Sequence, residues 1–450
     1  MKRIYFIMFL LATFIVVLSS CKKDDDNSSA LDSMLVDALE TASGGAGTDF
    51  FKLPQSHDFA SIPQDPNNPL TAAKVTLGQL LFHETALGTN PKHAVSTGTY
   101  SCASCHFAGG GFQANRQQGI SDGGIGFGIN GEARTAHPSL PVVDCDVQPI
   151  RTPSAMNGAY QKNMLWNGQF GATGKNAGTQ AQWTAGTPIE NNFLGYEGLE
   201  IQAIAGLSVH RMMIDSAFIH STAYKQRFDD AFPGFSANER YSLETAGLAI
   251  AAYERVVLSN QAPFQYWLSG DYSALNDEQK KGALLFFGKA ECFTCHTGPA
   301  LNSMNFEGLG MNDLYQYPGL VINVSPTDEA NLGRGSFTKN AADEYKFKVP
   351  QLYNLKNSPF YGHGSSFTSV KEVIDYKNAA VSQNADVPQS QLSSKFHPLN
   401  LTAEEVDQIT SFIENGLFDA NLMRYQPGNV VSGNCIPNND YQSKIDLGCQ

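Results

Sequence analysis

Apolar positions recur along this chain at different spacings, and each spacing predicts a different kind of segment. From Ile4 to Leu18 they are almost continuous. From Asn238 to Leu258 they fall at Leu243, Leu248, Ile250, Tyr253 and Val257, the spacing of a helix with one buried face. Thr402-Ala-Glu-Glu405 is a capping box that opens a further helix, predicted to run to about Asn415 and to stop at Gly416. Leu77 to Phe82 reads as a short apolar turn. Few stretches alternate as strands would. Between the helical segments lie long Gly/Asn/Thr runs, Gly109 to Gly131 and Gly168 to Gly186 among them. Long loops around few helices are unusual in a bare core. They suit domains that each wrap a large apolar group.

The pattern also repeats. Leu77-Gly-Gln-Leu-Leu-Phe82 precedes Cys102-Ala-Ser-Cys105-His106, and Gly282-Ala-Leu-Leu-Phe-Phe287 precedes Cys292-Phe-Thr-Cys295-His296. One module used twice is the simplest account, with a boundary between Asn260 and Ser273.

Residues 1–20 have the order of a secretory signal: Lys2 and Arg3, the apolar run, then small residues. The run is short for a membrane span. Cys21, directly after Leu18-Ser19-Ser20, resembles the bacterial lipoprotein box, in which the cysteine is lipidated and becomes the N-terminus. The expectation is a protein of the periplasm or cell surface that touches the membrane only through the lipid on Cys21. The charge run Lys22 to Asp26 and the Gly-rich Gly44 to Gly47 predict a flexible tether over residues 21–50. The formal net charge of −13 disfavours nucleic acid and anionic lipid surfaces as partners and suits a basic electron donor. At 450 residues the chain exceeds what one core usually supports, so two domains are expected.

Eight cysteines in a secreted chain raise the question of disulfides. Cys21 goes to lipid and four lie in the two Cys-x-x-Cys-His motifs. Cys435 and Cys449 sit in a polar tail, 426–450, where a bridge would close a short loop worth about 3 kcal/mol. Cys145 is then unpaired, or pairs with one of them.

In Cys-x-x-Cys-His, two thiols on one helical turn reach the vinyl groups of a haem, and the histidine lies under the iron. A zinc site would need a further soft ligand pair near each motif, and a redox dithiol needs neither the histidine nor a second copy. The reading is two covalently bound haem c groups, attached at Cys102, Cys105, Cys292 and Cys295, with His106 and His296 as proximal ligands.

Further runs carry a resemblance: Arg151-Thr-Pro-Ser-Ala-Met-Asn157, Leu165-Trp-Asn-Gly168, Phe347-Lys-Val-Pro-Gln-Leu-Tyr-Asn354 and Pro359-Phe-Tyr-Gly-His-Gly364. With the Leu-Gly-x-x-Leu-Phe lead-in and both haem motifs, residues 60 to 420 resemble the bacterial di-haem cytochrome c peroxidase family, which includes the di-haem oxidase of methylamine utilisation. The resemblance implies a mainly α fold of two cytochrome c-like haem domains with long loops. Residues 51–265 would form the N-terminal, peroxidatic domain and 266–425 the C-terminal, electron-transfer domain, with the active crevice between them.

It also implies roles for single residues. Many members carry a displaceable histidine where this chain has Asp122, so the His106 iron is expected to be open, with His137 as the rival far-side ligand. The sixth ligand of the second haem falls on Tyr376, against His363, Met304 and Met311. The family's catalytic glutamate position is occupied by Arg211, so His210 is read as the base and Arg211 as the charge stabiliser, with Glu197 and Glu200 as fallback bases. Trp166 corresponds to the relay between haems, whereas Trp183 and Trp267 match nothing. Calcium between the domains, near Asn357 and Pro359, is an open expectation, because its usual asparagine falls at or beside Arg151. The implied activity is reduction of hydrogen peroxide to water with electrons from a small cytochrome or similar carrier. Two alternatives remain: a di-haem oxidase acting on a protein or small molecule through a high-valent state, and a non-catalytic electron-transfer cytochrome. A homodimer is compatible with either enzyme.

Overall fold

A glycine sits at the centre of each of two helix crossings. The structure is a computed structural model that describes residues 29–214, 218–219 and 223–449. The expected signal, Cys21 and the charge run lie outside the described residues. The helices that position the sites span residues 29–42 (α1), Ala72–His83 (α2), Gly198–Val209 (α3), Leu243–Val256 (α4), Pro263–Leu268 (α5), Asp277–Phe286 (α6), Val370–Ala379 (α7), Ala403–Ser411 (α8) and Tyr441–Leu447 (α9). The fold is mainly α, as expected. Among the described residues the sheets are two short antiparallel pairs: β1 (Gly124–Ile125) with β2 (Thr135–Ala136), and β3 (Phe306–Glu307) with β4 (Phe347–Lys348).

A methyl group at Gly78 would lie 1.8 Å from the Ala249 carbonyl oxygen, and one at Gly282 would lie 2.0 Å from that of Gln408. Only glycine lets the backbones approach so closely, so α2 crosses α4, and α6 crosses α8, at these residues. Around each crossing the chain repeats itself. Asn157 and Asn354 both take the left-handed conformation. Each side-chain oxygen accepts from a backbone N–H 3.1 Å away, that of Ser259 or Asp419 respectively. Short bridges pair Met164 with Phe170 and Tyr361 with Phe367, which puts Trp166 and His363 in equivalent places. The turn expected at Leu77–Phe82 is the middle of α2, which opens on Thr71 accepting from the Lys74 N–H. The helix expected from Asn238 breaks at Ser242, whose hydroxyl caps α4. The Thr402–Glu405 box opens α8, and the turn Phe412–Gly416 continues it, as the sequence predicts.

The tether expected over 21–50 is a correction, because residues 29–42 within it form helix α1. Leu35 and Leu39, one turn apart, are fully buried. Between them and Gly44 the sequence carries only this narrow apolar stripe, which the charges and glycines on either side mask. Asp32 accepts from the Trp267 indole N–H at 2.7 Å and pairs with Lys280 at 2.8 Å. The segment continues through Leu53, whose N–H donates to Gln265, and Phe51, which packs on Phe287. The N-terminal segment therefore covers the second module.

The C-terminal tail covers the first. Cys435 and Cys449 form a disulfide, and Cys145 is free and buried. Ser101 donates to the Pro437 carbonyl at 2.9 Å, Ser104 bonds Asn438, and Arg134 pairs with Asp440. Asp446 accepts from the N–H groups of Phe127 and Gly128, each at 2.8 Å.

Candidate active site: two cavities behind the Cys-x-x-Cys-His motifs

Each motif is a single helical turn, with the His106 N–H donating to the Cys102 carbonyl and the His296 N–H to that of Cys292, at 3.1 and 2.9 Å. Each opens onto a cavity, of about 460 Å³ behind Cys102 and Cys105 and about 280 Å³ behind Cys292 and Cys295. All four thiols are unpaired. His106 Nδ1 lies 3.1 Å from the Phe112 carbonyl, and His296 Nδ1 lies 3.2 and 3.1 Å from those of Leu301 and Pro350. A carbonyl only accepts, so Nδ1 carries the proton and the Nε2 lone pair is left for a metal. Burial lowers both histidines to about 4, which keeps them neutral at pH 7. Paired thiols and a neutral imidazole beside an apolar cavity are what covalent haem requires, and the residues fit it twice.

In the first cavity the structure brings in His210 and a partner the sequence reading missed. His210 Nδ1 lies 2.7 Å from Asp146 Oδ2, and Ser121 holds the same carboxylate. Burial alone would lower His210, but the Asp146 charge outweighs it and raises the imidazole above its ordinary value. No motif flags Asp146; a buried carboxylate next to a cysteine is a weak sequence signal.

Arg211 does not join this pair. It takes a positive φ of 56°, and its guanidinium meets Asp122 at 2.5 Å, away from the cavity lining. Asp122 is thereby fixed in an ion pair, and His137 does not line the cavity. Glu197 and Glu200 are held by Arg255, with Glu200 at 2.7 Å, and do not reach it either.

Tyr376 is the second correction. Its hydroxyl donates to the Leu309 carbonyl at 2.5 Å and its ring packs between Phe367 and Phe396, so it lies outside the cavity lining. On a helix, one position decides which face a residue takes; Val373, Ile374 and Lys377 face the cavity instead. Of the rivals, His363 and Met311 line the cavity and Met304 does not. His363 Nε2 lies 2.9 Å from Asp313, and its ring stacks on Phe347 at 3.6 Å.

Trp166 lines both cavities. Its indole N–H donates to the Arg151 carbonyl at 2.8 Å, and its ring lies 6.3 Å from that of His363. Arg151 itself is buried. Its guanidinium donates to the carbonyls of Ala114 and Arg116, to Gln113 Oε1 and to Ser358 Oγ. Those oxygens already serve a cation, and among the described residues no three carboxylate, histidine or cysteine groups gather around a further one. The residues there do not fit calcium. Lys348, equivalent to Arg151 in the repeat, is buried beside the second cavity, donates to the Asn163 carbonyl at 2.8 Å, and is lowered by burial to about 7.

Two haem-fitted modules with one tryptophan in the wall between them define a di-haem protein of cytochrome c type. The sequence profile described as "Di-haem cytochrome c peroxidase" matches residues 72–273, and that family carries two haem c groups. The chain is 27% identical over 403 residues to "Cytochrome-c peroxidase IdrP1" of Pseudomonas sp. (strain SCT), covering 85% of this chain and 90% of that protein. It is 27% identical over 363 residues to "Methylamine utilization protein MauG" of Methylorubrum extorquens, covering 79% and 81%. In fold it is similar to a MauG-like protein associated with microbial copper homeostasis (TM-score 0.56, 23% identity, 82% of this chain and 96% of that one). The diheme peroxidase BthA from Burkholderia thailandensis E264 is also similar (TM-score 0.50, 15% identity, 80% and 89%). The protein is an oxidoreductase of the cytochrome-c peroxidase type.

Proposed function

We propose that the protein reduces hydrogen peroxide to water at the first cavity, with electrons that a small cytochrome or similar carrier delivers through the second. The observation that carries the reading is the His210–Asp146 pair at the first cavity, which supplies a base already oriented and charge-compensated. The bound haems supply the iron at which peroxide is held and the two electrons its reduction consumes. His210 Nε2 takes the proton of the near oxygen and returns it to the departing one. Asp146 holds the ring by Nδ1 and stabilises its protonated form, as a carboxylate does behind other catalytic imidazoles. Trp166, in the wall shared by both cavities, is the relay.

Lys348, Lys377 and Lys395 line the second cavity against Glu291, Glu307 and Asp313, whereas Asp146, Glu254 and Glu329 line the first against Lys339, with Arg151 shared by both. Positive surroundings favour the reduced state and negative ones the oxidised state, so this arrangement stores electrons in the second module. Oxidation of a second protein or a small molecule is the neighbouring activity, since the chain is as similar to a methylamine utilization protein MauG as to a cytochrome-c peroxidase. We further propose export and lipidation at Cys21, with the membrane touched only there. The disulfide Cys435–Cys449 supports an oxidising compartment.

The test is peroxide consumption by the holoprotein with a reduced cytochrome c as donor. His210→Gln lowers kcat/KM for peroxide by about 10²- to 10⁴-fold while the donor still reduces the second haem. A wild-type protein whose two haems are indifferent to peroxide overturns the reading and leaves an electron carrier.

A further inference from the structure

Glu254 lines the first cavity near Cys102, is buried, and has no part in the peroxide chemistry above. Its Oε2 is buried without a hydrogen-bond partner. Burying a carboxyl in this state is costly, so its presence asks for a reason. The repeat removes the structural one. The glycine crossings place Ala249 opposite Gly78 and Gln408 opposite Gly282. Ile250 and Ile409 then follow, each lining its cavity, and one turn later Glu254 lines the first and Ile413 the second. The same place in the same module is filled by an apolar side chain, so the fold does not need a carboxyl there.

We propose that Glu254 takes up one proton from solvent when the haem on Cys102 and Cys105 accepts one electron, a role that Ile413, in the same place of the second module, cannot take. The inference rests on the haem reading of both motifs. The step balances as ferric haem, Glu254 carboxylate, one electron and one proton giving ferrous haem and Glu254 carboxylic acid. The electron comes from the one-electron donor and the proton from water. A buried carboxylate is tolerated beside net positive ferric iron and is disfavoured once that charge is cancelled, so electron and proton arrive together.

The surroundings set Glu254 up for this. Burial raises its carboxyl to about 8, and Glu200, facing it from α3, adds a like charge. Arg255, next on α4, opposes the shift but is itself held by Glu197 and Glu200. From α2, Lys74 reaches Asn68 and His83 is kept neutral by burial. From the far wall, His210 is paired with Asp146. Tyr253, adjacent on α4, donates to the Tyr425 carbonyl.

The experiment is a spectroelectrochemical titration of the holoprotein from pH 6 to 9, following each haem, with redox-difference infrared spectra in the carboxylic C=O region. The expected result is that the first potential falls by one tenfold factor in equilibrium constant per pH unit, ~59 mV for a one-electron couple. The second potential, beside which Lys348 lies in place of a carboxyl, is unmoved by Glu254→Gln, and reduction of the first haem produces a carboxylic band. Glu254→Gln removes slope and band and leaves both haems in place; His210→Gln keeps them. A pH-independent first potential in the wild type, absence of the band, or loss of the slope in His210→Gln overturns the proposal, while the haem reading stands. Absence of two covalent haems from the absorption spectrum overturns the haem reading instead. The infrared measurement on the unsubstituted protein decides the matter if Glu254→Gln fails to fold.

Discussion

The two modules share a backbone and differ in what charge they place beside the haem. Each has a glycine crossing, a Cys-x-x-Cys-His turn, a left-handed asparagine and a short bridged loop. In the loop the first module presents Trp166 and the second His363; on the crossing helix the first presents Glu254 and the second Ile413. Around the first cavity Asp146, Glu254 and Glu329 outnumber Lys339, with His210 beside them, and around the second Lys348, Lys377 and Lys395 face Glu291, Glu307 and Asp313, Arg151 being common to both. The difference teaches that one backbone frame builds both haem-fitted cavities, while a handful of side chains sets the charge each cavity presents. The termini are divided the same way: the N-terminal segment braces the second module through Asp32, and the disulfide-closed tail braces the first through Pro437, Asn438 and Asp440.

The largest effect comes from removing one haem at a time. Cys292→Ser with Cys295→Ser drops donor-supported peroxide turnover to background, yet the first haem still responds spectrally to peroxide. Cys102→Ser with Cys105→Ser gives the reverse, a protein that accepts electrons from the donor and ignores peroxide. Covalent haem content per chain and stopped-flow absorbance check both. If either deletion leaves turnover intact, the division of labour between the modules is broken.

Next come changes that strike one module's framework. Cys435→Ser with Cys449→Ser opens the tail and costs about 3 kcal/mol in denaturant unfolding. Hydrogen exchange quickens at residues 99–104 and 126–128, which the tail touches, and stays unchanged around Cys292. Gly78→Ala and Gly282→Ala each force a methyl against a carbonyl and cost about 1–3 kcal/mol or more. Similar losses from both would sharpen the equivalence of the two crossings; a silent substitution at either would break it.

Much of this was legible in the sequence, because haem attachment and helix caps are written in short spacings. The two motifs, the repeat and the capping box at Thr402 needed only neighbouring residues, and the bridge Cys435–Cys449 was one of the pairings the sequence left open. Pairings between distant segments were not legible. Asp146 meets His210, and Asp32 meets Lys280 and Trp267, only after folding. Tyr376 shows the limit in another form: the right helix was chosen, but its cavity face is set by how α7 rotates against Phe367 and Phe396. Arg211 fails similarly, since its positive φ turns the side chain toward Asp122 and leaves His210 alone at the cavity.

The smallest expected effect tests the His210–Asp146 pair by pH. As a base, His210 works only when neutral. Burial pulls its protonation midpoint down, and the Asp146 carboxylate more than offsets that pull, so in the wild type the midpoint stands above the ordinary imidazole value. The neutral fraction grows as pH rises through this midpoint, so kcat/KM for peroxide climbs with pH across it. Asp146→Asn keeps a partner for Nδ1 and removes the charge. Burial then acts unopposed, and the rising limb moves to lower pH. The potential of the second haem, whose cavity His210 does not line, is unmoved by the substitution. A limb that stays where it was in Asp146→Asn would assign the base to another group and remove the acid–base half of the contrast between the modules.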